Sequence, residues 1–178
     1  MSEREIFRQL AVQRWLFEEA ALLDARRYDL WLGLLDESIH YRIPSRSPMP
    51  QQDVKDFSTW SVERELDAHD GVSLIDDDLA GLHRRIGRLQ TGMGWAEMPP
   101  SMSRRLVANV LLRDVAPDGK ISVTSSILLA KTRSEERVFF TGERRDRLVP
   151  AGDGFRLCER CVILDDAVLV AENLSLLF

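Results

Sequence analysis

The sequence predicts an α+β fold in which N-terminal helices pack against a strongly curved, mainly antiparallel sheet. Helical periodicity is confined to the first half of the 178 residues. The second half alternates apolar and polar residues in segments of about ten, separated by turn signals. Helices followed by hairpin-connected strands are typical of α+β domains rather than of βαβ units. We expect the curved sheet, closed by the helices, to form a cone with a cavity.

The first predicted helix runs over 2–25. Ser2 and Glu5 have the spacing of a capping box, in which each residue satisfies the other's backbone N–H group. A second, short helix is predicted over 29–35. We expect the apolar stripe of the first helix to comprise Ile6, Leu10, Phe17 and Ala21, widened by Phe7, Ala11, Leu22 and Leu23.

A strand is predicted over 38–43, because apolar and polar residues alternate there, and Pro44 ends it. The composition then changes to prolines, serines and glutamines, which predicts a long variable loop over about 44–69. Loops of this length in a compact domain are usually functional or contact a partner. The acidic run 76–78 is predicted to open another helix, whose apolar stripe comprises Leu79, Leu82, Ile86 and Leu89.

The second half predicts four strands, over 104–115, 121–132, 137–149 and 155–164, and a short apolar segment over 167–171. Turn signals at 117–119 and 152–154 separate them. On the first of these strands we expect one face to carry Leu106, Ala108, Val110 and Leu112. On the second we expect one face to carry Ile121, Val123, Ile127 and Leu129.

Composition argues against several classes of protein. The net charge is −5, from 24 basic and 29 acidic residues, whereas a free-standing nucleic-acid binder is normally basic. No apolar stretch approaches the roughly 20 residues of a membrane span, and two cysteines do not make a secreted disulfide framework. We therefore expect a cytoplasmic protein with a single domain over 1–178, with no nucleic-acid or membrane partner.

Metal and redox sites are disfavoured by the ligand count. The three histidines are scattered along the chain, and no Cys–His pair exists, so neither a non-haem iron site nor a Rieske cluster is expected. Cys158 and Cys161 form a CxxC, the spacing of a redox pair or half a zinc site. They lie in a predicted strand, where residues three apart point to opposite faces, so we expect two unbridged thiols.

An acid–base site is the alternative that the residues leave open. His40 on the first strand, with Tyr41 and Asp36 nearby, is the best candidate for proton transfer inside a cone. The competing interpretation is an ordinary surface histidine. The arginines over 144–147 form either a solvated face or an interface anchor, since Arg is enriched in interfaces.

Several segments together resemble one family, the small (beta) subunit of the terminal oxygenase of bacterial aromatic-ring-hydroxylating dioxygenases. The resemblance covers nearly the whole chain in the same order and spacing, and the loop over 45–69 departs most. The matching segments are 19–24, 27–31, 40–41, 76–78, 88–92, 95–101, 104, 107–110, 142–146, 164–165 and 173–178.

The resemblance implies the cone-shaped fold shared with nuclear transport factor 2 and ketosteroid isomerase. It also implies a large alpha subunit as partner, commonly three of each, with self-association as a trimer. In that family the alpha subunit carries the Rieske [2Fe–2S] cluster and the mononuclear Fe(II). Electrons from NAD(P)H arrive through a reductase, often by way of a ferredoxin. This chain would then hold no cofactor and be inactive alone.

The alternative function is a stand-alone lyase or isomerase of the same fold, or a small-ligand-binding protein. For the beta-subunit interpretation, no catalytic residue is expected on this chain. The candidates for structural or partner-interface roles are Trp95, Pro99, Pro100, Arg104, Asn109, Arg144, Arg145 and Asn173.

Overall fold

The computed structural model describes residues 2–47, 61–67, 73–90, 101–133, 135–166 and 176–178. Its helices are α1 (Glu3–Asp24), α2 (Tyr28–Leu32), α3 (Val62–Asp67) and α4 (Leu79–Gln90). Its strands are β1 (Leu35–Pro44), β2 (Ser73–Asp77), β3 (Met102–Val115), β4 (Ile121–Arg133), β5 (Glu136–Ala151) and β6 (Gly154–Leu164). The six strands form one sheet in the order β2-β1-β6-β5-β4-β3, in which only β1 and β6 run parallel. The predicted α+β class is confirmed.

Helix α1 begins at the predicted capping box. The Glu5 backbone N–H donates to Ser2 Oγ, and the Ser2 N–H donates to Glu5 Oε2. The predicted apolar stripe is wrong, since Ile6, Leu10 and Phe17 are 40–54% exposed. The helix has two apolar faces, and the one that packs inward consists of Val12, Trp15, Leu16, Ala20 and Leu23 together with Glu19.

Three element predictions in the first half need correction. The helix predicted over 29–35 ends at Leu32, because Leu35 already pairs with β6 as the first residue of β1. Asp76 and Asp77 belong to strand β2, which the sequence analysis missed, and only Asp78 caps α4, with Oδ1 accepting from the Gly81 N–H at 2.7 Å. Helix α3 lies within the predicted 44–69 loop, most of which lies outside the described residues.

Strand β3 changes phase at Asn109. Ala108 pairs with Ser126 and Leu111 with Thr124, so two residues of β3 face one of β4, and Asn109 has φ +50°. Asn tolerates this left-handed conformation better than most residues. Because of the bulge, the prediction of one shared face is wrong: Leu106 and Ala108 are exposed, whereas Val110 and Leu112 turn inward.

The other strands follow their predicted alternation closely. Ile121, Val123, Ile127 and Leu129 are all buried, which confirms the inner face of β4. The turn at 117–119 is confirmed by Gly119 at φ +86° and by an Ala116–Lys120 backbone hydrogen bond of 2.8 Å. The predicted segment over 167–171 lies outside the described residues. The core lies between the inner face of the sheet and helices α1, α2 and α4.

Candidate functional site

Four charged side chains meet in the interior, where a cone-fold enzyme would hold its substrate. Glu19 comes from α1, Arg144 and Asp146 from β5, and Arg160 from β6, and none is more than 4% exposed. Arg144 and Asp146 share the inner face because they are two residues apart on a strand. Asp146 lies directly opposite Arg160 in the β5–β6 register. The sheet therefore presents three of the four charges to Glu19.

The cluster is tightly connected by ion pairs. Arg160 bridges both carboxylates, with Nη1 2.6 Å from Glu19 Oε1 and Nε 2.8 Å from Asp146 Oδ1. Arg144 Nη2 lies 3.0 Å from Asp146 Oδ2 and 3.2 Å from Glu19 Oε2. Two cations and two anions give a formal charge of zero, which is the condition for burying charge without a large penalty.

The electrostatics keep Glu19, Asp146 and Arg160 ionised. Burial opposes ionisation of Glu19 and Asp146, but the charges of Arg160 and Arg144 outweigh it and lower the pKa of both carboxyls. Burial likewise opposes the charge on Arg160, yet Asp146 and Glu19 raise the pKa of its guanidinium well above the ordinary value. None of these groups is poised to exchange a proton near neutral pH.

Aromatic and main-chain groups fill the space around the cluster. Trp31 Nε1 donates to Glu19 Oε1 at 3.0 Å, and Arg160 Nη1 donates to the Phe178 carbonyl at 2.7 Å. Tyr41 Oη accepts from the Phe178 N–H at 2.7 Å. The Phe178 ring packs edge-on against Phe140 with centroids 5.6 Å apart. These groups pack directly around the charged cluster.

The three residues of the acid–base alternative do not converge. Tyr41 is fully buried, and burial raises the pKa of its phenol. His40, its neighbour on β1, points to the outer face and contacts Asp76 at 2.7 Å, with about half of each side chain exposed. Asp36 accepts hydrogen bonds from the backbone N–H and the hydroxyl of Ser38 on the same strand. Adjacent strand residues point to opposite faces, which separates His40 from Tyr41.

Arg105, and not the candidate Arg104, is the buried arginine near the start of β3. Its backbone N–H donates to Asp24 Oδ2 at 3.0 Å, its Nη1 contacts Asp24 Oδ1, and its Nε donates to the Leu177 carbonyl at 3.0 Å. The Arg104 side chain is 72% exposed and lies 3.7 Å from Asp24. Burial lowers the pKa of Arg105, an effect that Asp24 partly offsets.

Helix α1 also covers the free edge of the sheet. Gln9 Nε2 donates to the Val110 carbonyl at 2.7 Å, and Gln9 Oε1 accepts from the Leu112 N–H at 3.3 Å. One side-chain amide thus pairs with edge strand β3 as a neighbouring strand would, just beyond the bulge at Asn109. Asn109 itself donates from Nδ2 to Ser126 Oγ at 3.2 Å.

The remaining interface candidates fall in different places. Arg144 is fully buried, so the solvated and partner-contacting interpretations of this arginine are wrong. Arg145, on the outer face, contacts Glu143 at 2.6 Å and Glu63 at 2.9 Å. The candidates Trp95, Pro99, Pro100 and Asn173 lie outside the described residues.

The outer face of the sheet is apolar at one end. Leu106 on β3 lies opposite Leu128 on β4, which lies opposite Thr141 on β5. One step along, Ala130 lies opposite Phe139. A groove of about 460 Å³ opens here, and the exposed apolar residues beside it include Met102, Leu106 and Phe139, each more than half exposed.

The opposite end of the same face is charged. Arg113, Arg145, Arg147 and Glu159 surround a shallow depression of about 200 Å³ over β3 to β6. Arg147 lies 3.3 Å from Glu159, its partner in the strand register. An exposed apolar patch with charged residues on the same face has the composition of a protein–protein interface.

Both cysteines are free thiols. The β5–β6 register breaks between Arg147 and Leu148, which leaves Cys158 as an extra residue on β6. From Cys158 onward burial alternates again, with Cys158 and Arg160 buried, Glu159 exposed and Cys161 partly exposed, which agrees with the predicted opposite faces of the two cysteines. Burial raises the pKa of both thiols, which disfavours the thiolate that redox chemistry needs.

Two further observations concern the described ranges only. Within them, no three His, Cys, Asp or Glu side chains are grouped as metal ligands would be. No helix in the same ranges is long and apolar enough to cross a membrane.

Comparison with known proteins decides the family. The family model described as "Ring hydroxylating beta subunit" matches residues 18–171 of this chain. The chain belongs to that family. The resemblance seen in the sequence is confirmed, and with it the prediction of a beta subunit of a ring-hydroxylating dioxygenase.

Curated beta subunits match this one over nearly their whole length. The 3-phenylpropionate/cinnamic acid dioxygenase subunit beta of Photorhabdus laumondii is 34% identical over 174 residues, covering 94% of this chain and 89% of the relative. The chlorobenzene dioxygenase subunit beta of Cupriavidus sp. strain PS12 is 32% identical over 173 residues, covering 96% and 88%.

The fold agrees with a solved structure. Naphthalene 1,2-dioxygenase with indole bound superposes with a TM-score of 0.77 at 21% identity, covering 94% of this beta subunit and 83% of that chain. At this identity the likeness concerns the fold alone. Together with its other structural neighbours, it confirms the predicted cone-shaped fold of the nuclear transport factor 2 type.

Proposed function

We propose that this beta subunit is a non-catalytic scaffold in a multicomponent dioxygenase that cis-dihydroxylates an aromatic compound. Its partner is an alpha subunit that carries a Rieske [2Fe–2S] cluster and a mononuclear Fe(II), with three copies of each subunit. Electrons come from NAD(P)H through a reductase, directly or by way of a ferredoxin. The beta subunit is a single domain over 1–178, acts in the cytoplasm, and is inactive alone.

The observation that carries the scaffold role is the cluster of four buried, mutually paired charges at the centre of the interior. Glu19, Asp146, Arg144 and Arg160 are buried and paired with one another. An acid–base catalyst needs a titratable group within hydrogen-bond reach of a substrate, and here the central carboxylates are held ionised by arginines. The stand-alone lyase is not proposed, because His40, Tyr41 and Asp36 lie apart.

The apolar end of the outer sheet face is the proposed contact between copies of the beta subunit. It offers both a groove beside Leu106 and Leu128 and protruding side chains at Met102 and Phe139. Both charge signs occur farther along the same face, at Arg147 and Glu159. In a closed ring each copy contacts the next through two different patches, so the groove of one copy is proposed to receive the projecting apolar side chains of its neighbour. Closed symmetry is the usual state of soluble oligomers.

The test of the scaffold role is reconstitution with the alpha subunit, reductase and an aromatic hydrocarbon. Omitting the beta subunit should abolish the native assembly. A His40→Ala variant should assemble normally and support near-normal turnover, because His40 lies on the outer face beside Asp76. A loss of about 100-fold or more with assembly intact, the size expected for a missing acid–base group, would contradict the proposal.

A further inference from the structure

We propose that the interior of this chain binds water at one defined place, between Arg144 on β5 and Ser125 on β4. The two residues lie directly opposite each other in the β4–β5 register. Side chains of such cross-strand pairs have Cβ atoms about 5 Å apart. Arg144 is fully buried and Ser125 is 2% exposed. The two side chains therefore start from neighbouring positions on the inner face of the sheet, and the proposed water lies between them.

Only one of the three nitrogens of the Arg144 guanidinium donates hydrogen bonds to the described residues. A guanidinium carries N–H groups on all three of its nitrogens and accepts none. Nη2 donates to Glu19 and Asp146, which leaves Nε and Nη1 buried and without a partner among the described residues. Arg160, by contrast, uses all three nitrogens: Nε bonds Asp146, Nη1 bonds Glu19 and the Phe178 carbonyl, and Nη2 bonds both carboxylates.

Ser125 gives a second, independent indication that a small molecule is bound beside Arg144. Its Oγ is also buried and has no partner among the described residues. Buried polar atoms in proteins almost always have a partner, either protein or ordered water. Both side chains lack hydrogen-bond partners. One small molecule supplies them if it accepts a hydrogen bond from the Arg144 guanidinium and forms another with the Ser125 hydroxyl.

The charge balance of the cluster selects the ligand. Arg144 and Arg160 are matched by Glu19 and Asp146, so these four side chains carry no net charge together. A monovalent anion would leave a buried net charge, which is costly. Water is neutral, accepts from N–H groups and can donate to or accept from a hydroxyl. Proteins hold about one buried water per 27 residues at sites of this kind.

A crystal structure of the full chain, grown with bromide replacing chloride, tests the site directly. We expect at least one ordered solvent atom within about 3.2 Å of both Ser125 Oγ and an Arg144 nitrogen, without anomalous scattering from bromide. The proposal is overturned by a bromide peak at the site, which would make the ligand an anion. It is equally overturned by an absence of solvent density, or by direct bonds from protein atoms to these groups.

Water relaxation dispersion tests the same site in solution. Ser125→Val removes the hydroxyl and fills its space, so the count of long-lived internal waters should fall by about one. Ser122→Val is the matched control, because Ser122 lies on the outer side of the same strand, opposite Arg147, and should leave the count unchanged. An equal count in the wild type and Ser125→Val would overturn the proposal. Should the variant not fold, the crystallographic result on the unaltered chain decides.

Discussion

Glu19 and Arg160 are separated by 141 positions in the sequence and joined by two contacts, of 2.6 and 2.9 Å. The first lies on the inward face of α1 and the second on the inner face of β6. Their pairing fixes the long helix over the centre of the sheet. Trp31 on α2 donates to the same carboxylate, so one acidic side chain joins α1, α2 and the sheet.

Glu19→Gln should strongly destabilise the fold. Removing one partner of a buried charge cluster leaves the remaining charge uncompensated, which costs about 3–5 kcal/mol in the free energy of unfolding. Urea denaturation of the variant and the wild type would measure it. Glu18→Gln is the matched control, because Glu18 pairs with Arg14 on the exposed side of the helix, and it should change stability by less than about 1 kcal/mol. Equal effects of the two substitutions would contradict the structure.

The chain should lose stability in acid. The pKa values of Glu19 and Asp146 in the folded chain lie below the ordinary values of 4.5 and 3.8. The unfolded chain therefore binds more protons in this range, and stability rises with pH there. The contribution should be complete above about pH 5 and should disappear as the pH falls through the lowered folded pKa values. Thermal unfolding between about pH 3 and pH 7 would measure it, and a flat midpoint would refute it.

Gln9→Leu should expose the edge of β3. The substitution keeps a side chain of similar size but leaves the Val110 carbonyl and the Leu112 N–H without the amide that pairs with them. We expect a loss of about 1–3 kcal/mol and faster amide exchange at Leu112. Arg14→Leu, at a position of the same helix where the side chain is 81% exposed, is the control and should leave exchange at Leu112 unaltered. Unchanged protection in Gln9→Leu would show that the amide does not seal the edge.

The two thiols should stay reduced and react slowly. Cys158 and Cys161 are free, and burial raises the pKa of both, so little thiolate is present at neutral pH. Titration in denaturant without reductant should return two thiols per chain. In the native chain, labelling should be slow at pH 7 and accelerate as the pH rises. Recovery of a 158–161 disulfide from freshly prepared protein would contradict this expectation.

Leu106→Lys should weaken self-association without unfolding the chain. Leu106 is 57% exposed on the apolar end of the outer sheet face, so a charge there costs little in the monomer and much in a buried interface. Sedimentation over a range of concentrations would show a shift toward smaller species. Leu30→Lys is the control, because Leu30 is 51% exposed on α2, away from the sheet face. An identical shift in both variants would remove the outer face as the contact between copies.

The sequence predicted the β half of this chain well because strand alternation is a local pattern. Ile121 to Leu129 lie inward as their spacing predicts. The prediction failed on β3, because the left-handed bulge residue Asn109 shifts the alternation by one position until a second register shift, between Leu112 and Asp114, shifts it back. Asn at that point is a weak signal for such a conformation. The missed strand β2 has only five residues, and its acidic end at Asp76 and Asp77 imitates a helix start.

The interior cluster was only partly accessible from sequence. Arg144 was noticed as one of several arginines on a strand, but nothing local distinguishes it from the exposed Arg147 except strand parity. Glu19 lies between Leu16 and Leu23 on the second apolar face of α1, which also carries Val12. A carboxylate at helical spacing among apolar residues was the sequence feature that could have indicated a buried charge. Which of two apolar faces packs inward depends on contacts with β3 and β6, which are distant in sequence.

The mutual pairing of Glu19, Arg144, Asp146 and Arg160 also constrains how this chain can change over generations. Any single substitution that alters one charge leaves the other three unbalanced in a medium that solvates them poorly. Homologues that fold must therefore retain all four charged residues or replace two of them together, so that the remaining charges still balance. Among diverging copies, these positions should vary as a linked group, whereas neighbours such as Glu18 and Arg147 drift independently.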